Sequence, residues 1–458
     1  MYQIDFNKPC SIYFIGIGGI SMSGLAELLQ EEGFRVSGSD WHASPMTKSL
    51  EEKGVLVKYG ESSTHITDDI DCAVLTSAVH EDNLEFQAIK AKNIPYMSRG
   101  ELLGQVMKNY ALPVAVSGTH GKTTTTSMIS EILLQGNTDP TLFVGGILKS
   151  IGGNLRIGKS DYFVTEACEY TNSFLSFFPK ISLILNIDED HLDFFKDLAD
   201  IRNSFRRFAE ILPADGTLII NGDIENYQEI TEGLNCRVVT FGHTINCDYA
   251  LTALTFNDSG FPEFTVQTPT GIREMKLQVP GEHNVINALA SLATADLLGI
   301  DFDVTSQALY NFHGTNRRFE YKGSIGGVTV IDDYAHHPTE ITATLQAAAN
   351  YPHKTLWCVF QPHTYTRTKA LMADFAKALT LADRVVLTDI YAAREKDNLG
   401  ISSRDLQKAI QDLGKECAYF PTFDEVENFL LENCINGDLL ITMGAGDVHK
   451  IGETLLGK

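Results

Sequence analysis

Long apolar runs are missing from this chain. No stretch of its 458 residues approaches the ~18 uninterrupted apolar residues of a membrane-crossing helix, so no membrane span is expected. The N-terminus lacks a basic start, an apolar run and a small-residue cleavage site, so no secretory signal is expected either. Basic residues are scarce. Thirty-six Lys and Arg face 59 Asp and Glu, a formal net charge of -23, which argues against a nucleic-acid partner, because such proteins present basic surface. Any anionic ligand must then be held locally, by glycine turns, helix N-termini and a few cations. Paired cysteines are missing too. Eight are scattered (Cys10, Cys72, Cys168, Cys236, Cys247, Cys358, Cys417, Cys434) with no C-x-x-C spacing, a pattern of reduced thiols in a cytoplasmic protein rather than of disulfides or a zinc site. There is no internal repeat and no low-complexity linker.

What remains is an ordinary globular composition, 43% hydrophobic and 21% charged, with length for about three domains of ~150 residues each. In the first segment, "SIYFI" reads as a buried strand, Gly16, Gly18 and Gly19 as a turn, and the leucines after it as a helix face. "RVSGSD", "CAVLTSAV" and "IPYMSRGELLG" continue the strand–loop–helix rhythm of a parallel α/β unit. A second segment starts at "VAVSGTHGKTTTT" and later turns β-rich, with Pro-Thr-Gly as a hairpin turn. A third begins near "TNRRFEYKG" and carries four strands, "VTVIDD", "TLWCVF", "RVVLTD" and "DLLITM". His, Arg and Asp collect in the loops that follow them, where open α/β sheets bind ligands. The fold class is therefore α/β, with three domains, each a mostly parallel sheet flanked by helices. The boundaries fall near 108 and 314: 1–108, 109–314 and 315–458.

The strongest chemical signal is the phosphate loop. After a strand, Gly118 and Gly121 let backbone N–H groups turn toward an anion, and the helix that follows adds its positive end. Lys122 reaches β- and γ-phosphates, and the Thr123 hydroxyl suits Mg²⁺. Two residues separate the glycines here, where the common version has four. Glu166 and His191 end neighbouring strands on the same sheet edge and are candidates for metal binding. Gly16-x-Gly18 resembles a dinucleotide fingerprint, with Asp40 at the distance of a ribose-binding acid, but Ser21 replaces the third glycine. Taken alone, that turn is either a diphosphate site or a structural βα turn.

"GIGGISMSGLAELL", "SRGELLG", "GTHGKTTTT", "NIDEDHLD", "GEHNVINALA", "RRFE", "DDYAHHPTEI", "FQPHTYTRT" and "AAREKDNLGISS" follow one another over nearly the whole chain. In that order they resemble the Mur ligases, whose phosphate loop is shortened in the same way. The resemblance implies an ATP- and Mg²⁺-dependent ligase of peptidoglycan precursor synthesis, with UDP-N-acetylmuramate and L-alanine as substrates, working as a monomer or homodimer. It places the UDP-sugar on the first domain, at Gly16, Gly18, Gly19 and Ser23 with Asp40 and Arg99 nearby. Gly118, Thr119, His120, Gly121, Lys122, Thr123 and Thr124 fall in its ATP loop, with Lys122, Glu166 and His191 as the catalytic set and Thr123, Glu166 and His191 as metal ligands. His283, Asn284 and Asn287 match its adenine-side helix, and Arg317 and Asp333 its ATP contacts from the third domain. His337 and Arg367 match residues near the incoming amino acid.

Three positions depart from the family pattern. Glu166 is followed by Ala-Cys-Glu-Tyr-Thr where many relatives have Ala-Asp-Glu-Ser-Asp. Thr364 stands where many have an arginine. Lys196 lies too close to His191 to match the carbamylated lysine of sister ligases, so no such modification is expected. The competing readings are a ligase adding a tripeptide to the same UDP-sugar, a nicotinamide-dependent oxidoreductase built on Gly16 to Asp40, and a nucleotide-binding regulator without catalysis. The oxidoreductase leaves Lys122 and its loop without a task.

Overall fold

The computed structural model describes every residue except 1, 77, 193, 394 and 396–398. Parts of the motifs "DEDHLD" and "AAREKDNLGISS" therefore lie outside the described residues. Three sheets follow one another along the chain. The first holds β1 (Ser11–Ile15), β2 (Arg35–Asp40), β3 (Leu56–Tyr59), β4 (Cys72–Leu75) and β5 (Tyr96–Ser98) in the order β3-β2-β1-β4-β5, all parallel. β1 is buried along its whole length, as expected of a central parallel strand covered on both faces.

The middle sheet holds β6 (Leu112–Ser117), β7 (Thr141–Leu148), β8 (Gly153–Arg156), β9 (Tyr162–Glu166), β10 (Ile181–Ile184), β11 (Thr217–Asn221), β12 (Arg237–Gly242), β13 (Tyr249–Phe256), β14 (Pro262–Thr268) and β15 (Gly271–Lys276). Their order is β15-β14-β13-β12-β11-β10-β6-β9-β7-β8. From β7 to β13 the neighbours run parallel; β13–β15 and the β7/β8 edge are antiparallel. The β-rich character of the sequence is thus an antiparallel extension of the middle sheet, turned at Pro269 and Thr270 between β14 and β15. β6 lies at the centre between β9 and β10, so the phosphate loop, Glu166 and the loop to His191 leave the same sheet edge side by side.

The third sheet is β16 (Glu320–Ile325), β17 (Val328–Asp333), β18 (Leu356–Phe360), β19 (Arg384–Leu387), β20 (Cys417–Tyr419) and β21 (Leu439–Met443), ordered β16-β17-β21-β18-β19-β20. Sequence periodicity found four of these. The two it missed, β16 and β20, are the edges, which are polar or only three residues long and carry no buried run. No helix among the described residues is long and apolar enough to cross a membrane.

The seams between domains differ in kind. One continuous apolar cluster runs from Ile12, Phe14 and Leu25 of the first domain to Phe174, Phe205 and Phe208 of the middle one. Helix Arg99–Met107 lies so close to the segment Ser173–Phe177 that a Cβ on Gly104 would sit 1.9 Å from the Ser176 carbonyl oxygen, and one on Gly100 3.1 Å from Ser173. On helix Ile20–Glu31, a Cβ on Gly24 would come within 2.8 Å of Phe143. The third domain keeps its own apolar clusters and meets the middle one through polar contacts.

Candidate functional site

The phosphate loop forms because glycine occupies its two left-handed positions: φ is +141° at Gly118 and +83° at Gly121. Gly121 caps helix Lys122–Gln135 without a side chain, which leaves the first N–H groups of that helix open to an anion. A Cβ there would also lie 2.7 Å from Asn287 Oδ1, so the glycine admits Asn287 against the loop. Asn186, unmarked in the sequence reading, holds the loop shape. Its amide accepts from His120 N–H at 2.7 Å and donates to the His120 carbonyl at 3.0 Å. Thr119 is taken up in the same clamp, its hydroxyl accepting the Asp188 N–H at 2.9 Å.

Lys122 points back across the loop. Its ammonium donates to the carbonyls of Gly118 and Thr119 and lies 3.0 Å from Glu169 Oε2. Burial disfavours its charge, but the buried Glu169 carboxylate outweighs that and holds the pKa above the usual lysine value. Glu169 stands in the stretch where the sequence departs from the family pattern. Its other oxygen lies 3.9 Å from His191 Nε2, which is 3.8 Å from Asp190 Oδ2. Asp190 Oδ1 in turn is 3.0 Å from Arg367 Nη2 of the third domain. Burial would raise the Asp190 pKa, yet Arg367 and His191 hold it well below the usual carboxylate range. Lys122, Glu169, His191, Asp190 and Arg367 thus form one row from the phosphate loop to the third domain.

Glu166 accepts the Gly145 N–H at 2.7 Å. Added Cβ atoms would meet the Glu166 carboxylate at 2.5 Å from Gly145 and the Thr123 methyl at 3.2 Å from Gly146. The bare Gly145–Gly146 backbone therefore lets Thr123 and Glu166 stand together beside the loop. Among the described residues no three His, Cys, Asp or Glu side chains gather as a metal cage. A hydroxyl and a carboxylate beside a phosphate site nevertheless suit Mg²⁺, which takes few protein ligands and keeps its waters and phosphates. His191, the third expected metal ligand, has its ring between Glu169 and Asp190.

A cavity of about 240 Å³ opens beside the loop, lined by His120, Gly121, Thr124, His283, Asn284, Asn287, Arg318 and Asp333 among others. Burial pushes Asp333 up to about 6 against the pull of Arg318, while its oxygens accept the N–H groups of Phe319 and Ala335 at 2.8 and 2.7 Å. Burial, helped by Arg318, lowers His283 to about 4, so its ring is neutral. Arg317 does not line this cavity. It sits at φ +60° with its guanidinium on the buried Asp332, 2.9 Å, and on the Gly444 carbonyl, 2.7 Å. Of the arginine pair in "RRFE", the sequence pointed to Arg317, whose guanidinium pairs within the third domain, and Arg318 is the one that lines this cavity.

His337 is buried and committed. Its Nε2 lies 3.0 Å from the Glu189 carbonyl and its Nδ1 accepts the Thr339 N–H at 3.3 Å, so it ties the third domain to the middle one. His120 bridges the same seam, 3.3 Å from Asp188 Oδ2 and 3.3 Å from Glu340 Oε1. Thr364 caps the short helix carrying Arg367, at φ +67°. In the first domain, the Gly18 N–H donates to Asp40 Oδ2 and the Trp41 N–H to Asp40 Oδ1, both at 2.8 Å. Asp40 therefore clamps its own turn, at Gly16 to Gly19. Ser23 is buried and donates its hydroxyl to the Ile20 carbonyl at 3.1 Å. Arg99 opens its helix on the side of Cys168.

Comparison with known proteins agrees with this architecture. Residues 11–111 match the Mur ligase family catalytic domain, 116–295 the Mur ligase middle domain and 317–446 the Mur ligase glutamate ligase domain. The UDP-N-acetylmuramate–L-alanine ligase of Agathobacter rectalis is 58% identical over 459 aligned residues, covering 100% of both chains. The crystal structure of the UDP-N-acetylmuramate–alanine ligase of Thermotoga maritima superposes with a TM-score of 0.82 at 30% identity over 98% of each chain. A murein peptide ligase from Psychrobacter arcticus gives 0.72 at 25% identity, again over 98% of each. Its sequence, its three sheets and its phosphate-loop edge lead to one assignment: the chain belongs to the Mur ligase family.

Proposed function

We infer that the chain is an ATP-dependent ligase that joins L-alanine to the lactyl carboxylate of UDP-N-acetylmuramate in peptidoglycan precursor synthesis. The observation that carries this is the 58% identity, end to end, with a ligase of that name. The tripeptide alternative is less well supported, since the murein peptide ligase is the more distant structure of the two.

A carboxylate is a poor electrophile, because an amine cannot expel oxide from it. Transfer of the γ-phosphoryl group of ATP makes an acyl phosphate, whose phosphate leaves readily. Both partners of that step are anions, and Lys122 with the loop N–H groups offsets their repulsion and the charge spread over the moving phosphoryl group. Thr123 and Glu166 would hold Mg²⁺, which supplies further charge neutralisation there. The cavity of Thr124, His283, Asn284, Asn287, Arg318 and Asp333 takes the adenosine end. The turn at Gly16, Gly18 and Gly19 takes the diphosphate of the sugar nucleotide, with Arg99 close to the seam where the sugar reaches the middle domain. The amine of L-alanine attacks the acyl phosphate, and the tetrahedral intermediate collapses to an amide and phosphate. Docking of the third domain brings Arg367 to the row and excludes the water that would hydrolyse the acyl phosphate.

Mass spectrometry of products from UDP-N-acetylmuramate, ATP, Mg²⁺ and a mixture of amino acids and peptides tests the reading. The expected product is the UDP-sugar carrying one alanine. A tripeptide adduct in its place, or ATP binding with no amide at all, would reject it.

A further inference from the structure

One buried acid stands apart from the phosphate-loop site. Glu85, in the first domain, is 1% exposed, and among the described residues no lysine or arginine pairs with it. A buried carboxylate is costly unless hydrogen bonds hold it, and three side chains converge on this one. Tyr13 donates its hydroxyl to Oε1 at 3.3 Å, Ser39 donates its own to Oε2 at 2.5 Å, and His65 Nδ1 lies 2.5 Å from Oε1. Burial pushes the Tyr13 phenol well above its usual pKa, so it stays a donor. Glu85 also stands in the first turn of helix Leu84–Ala91, capped by Asn83, where the positive end of the helix favours a negative charge.

Two of these partners come from the strands that frame the glycine turn. Tyr13 lies on β1, shortly before Gly16, and Ser39 lies at the end of β2, opposite Ile15. The Ser39 carbonyl accepts the N–H groups of Gly16 and Ile17, both at 2.9 Å, and the next residue, Asp40, takes that of Gly18. Consecutive N–H groups of the turn are therefore held by two residues at the end of β2. The N–H groups left for an anion are those that open helix Ile20–Glu31, which Gly19 caps without a side chain. Where they point follows from where β2 ends, and Glu85 fixes that end against β1.

We propose that Glu85 is a positioning residue for the sugar nucleotide: it touches no substrate, and by gripping β1 and β2 together it holds the glycine turn in the shape that receives the diphosphate. This rests on the reading of Gly16, Gly18 and Gly19 as the diphosphate site and adds to it the support beneath the turn. Glycines give a turn little stiffness of their own. Ser39 is the link, because its hydroxyl is held by Glu85 while its carbonyl holds the turn.

The test measures initial rates of phosphate release by the full chain with UDP-N-acetylmuramate, ATP, Mg²⁺ and L-alanine, well below the melting temperature of each variant. Glu85→Gln keeps the shape and loses the charge and one acceptor. It is expected to raise the KM for the UDP-sugar about tenfold, with kcat at saturation and the KM values for ATP and L-alanine unchanged. Ser39→Ala cuts only the link to β2 and should raise the same KM, and the double variant should be little worse than Glu85→Gln alone. An unchanged KM for the UDP-sugar in Glu85→Gln overturns the proposal, as do fully additive losses in the double variant. So does a fall in kcat with all three KM values rising together, the behaviour of a residue that only stabilises the fold. If Glu85→Gln does not fold, Ser39→Ala decides by the same KM. Gly16→Ala separates the proposal from the reading it rests on. A Cβ there, at φ +81°, would lie 2.7 Å from the Thr76 methyl, so the substitution deforms the turn itself. A normal KM for the UDP-sugar in Gly16→Ala rejects the turn as the diphosphate site and the proposal with it; a raised one beside a normal Glu85→Gln rejects the role of Glu85 alone.

Discussion

Gly121 carries two constraints at once. Its φ of +83° is costly for any residue with a Cβ, and a Cβ would meet Asn287 Oδ1 at 2.7 Å. The left-handed conformation alone costs about 1–2 kcal/mol, and the contact adds to it by pushing Asn287 off the loop. Gly121→Ala should therefore raise the KM for ATP by about tenfold or more, the factor that 1.4 kcal/mol represents, while leaving UDP-sugar binding intact. Isothermal titration with each ligand checks this; equal affinity for ATP in both proteins would show that the loop tolerates the methyl. At this scale the sequence was legible where a residue type has one physical use. Glycines at left-handed positions and a lysine at a helix start after a strand could be read directly. It was not legible for Glu169, Asn186 and Arg318. A glutamate, an asparagine and one of two adjacent arginines are chosen by backbone direction, which no spacing rule supplies. Arg317 sits at φ +60° with its guanidinium held by Asp332 and the Gly444 carbonyl.

Helix Arg99–Met107 shows what an element contributes. Its sequence, Arg-Gly-Glu-Leu-Leu-Gly, puts two glycines four residues apart on one face, the spacing that aligns side chains along a helix. That face meets the chain at Ser173–Phe177 with no room for a methyl group at Gly104. The same element holds Arg99 at its first position and is followed by β6, so it helps set the distance between the glycine turn of the first domain and the phosphate loop. Gly104→Ala forces the two domains apart. Overpacking of this kind costs about 1–3 kcal/mol, and the melting temperature should fall by several degrees together with a weaker affinity for the UDP-sugar. A variant melting with the wild type, as followed by calorimetry, would show that the seam can widen freely. Long, apolar, central strands such as β1 and β6 were evident from the sequence. The short or polar edges β3, β16 and β20 were not, because an edge strand is defined by its neighbour in space rather than by its own pattern.

On the scale of the whole molecule, the two seams separate permanence from motion. The first and middle domains share an apolar core, so they should move as one body. The third domain is held by His337 on Glu189, Arg367 on Asp190, and His120 between Asp188 and Glu340. Polar contacts of this sort open more readily and respond to solution conditions. His120 is the sensitive one. Burial works against its charge, but Asp188 and Glu340 outweigh that and push its pKa up from 6.5 to about 9. A histidine whose pKa is raised in the folded state stabilises fully below pH 6.5, and that stabilisation disappears as the pH rises through 9. The unfolding temperature should thus fall between pH 6 and pH 9, by an amount corresponding to roughly 2–3 kcal/mol at most. His120→Gln should flatten that dependence, and identical pH profiles for the two proteins would remove His120 from the seam.

The contact between Lys122 and Glu169 has a further consequence. A lysine in a nucleotide loop would attract any small anion if it stood alone, but here a buried carboxylate 3.0 Å away already occupies it. An incoming ligand must outcompete a tethered rival. Triphosphate, with its metal and its adenosine anchored elsewhere, has many grips with which to do so. Orthophosphate has one. The rival therefore acts as a threshold that sorts anions by the number of their attachments. Under the proposed reaction it would also hasten the departure of spent phosphate, since the carboxylate stands ready to reclaim the lysine.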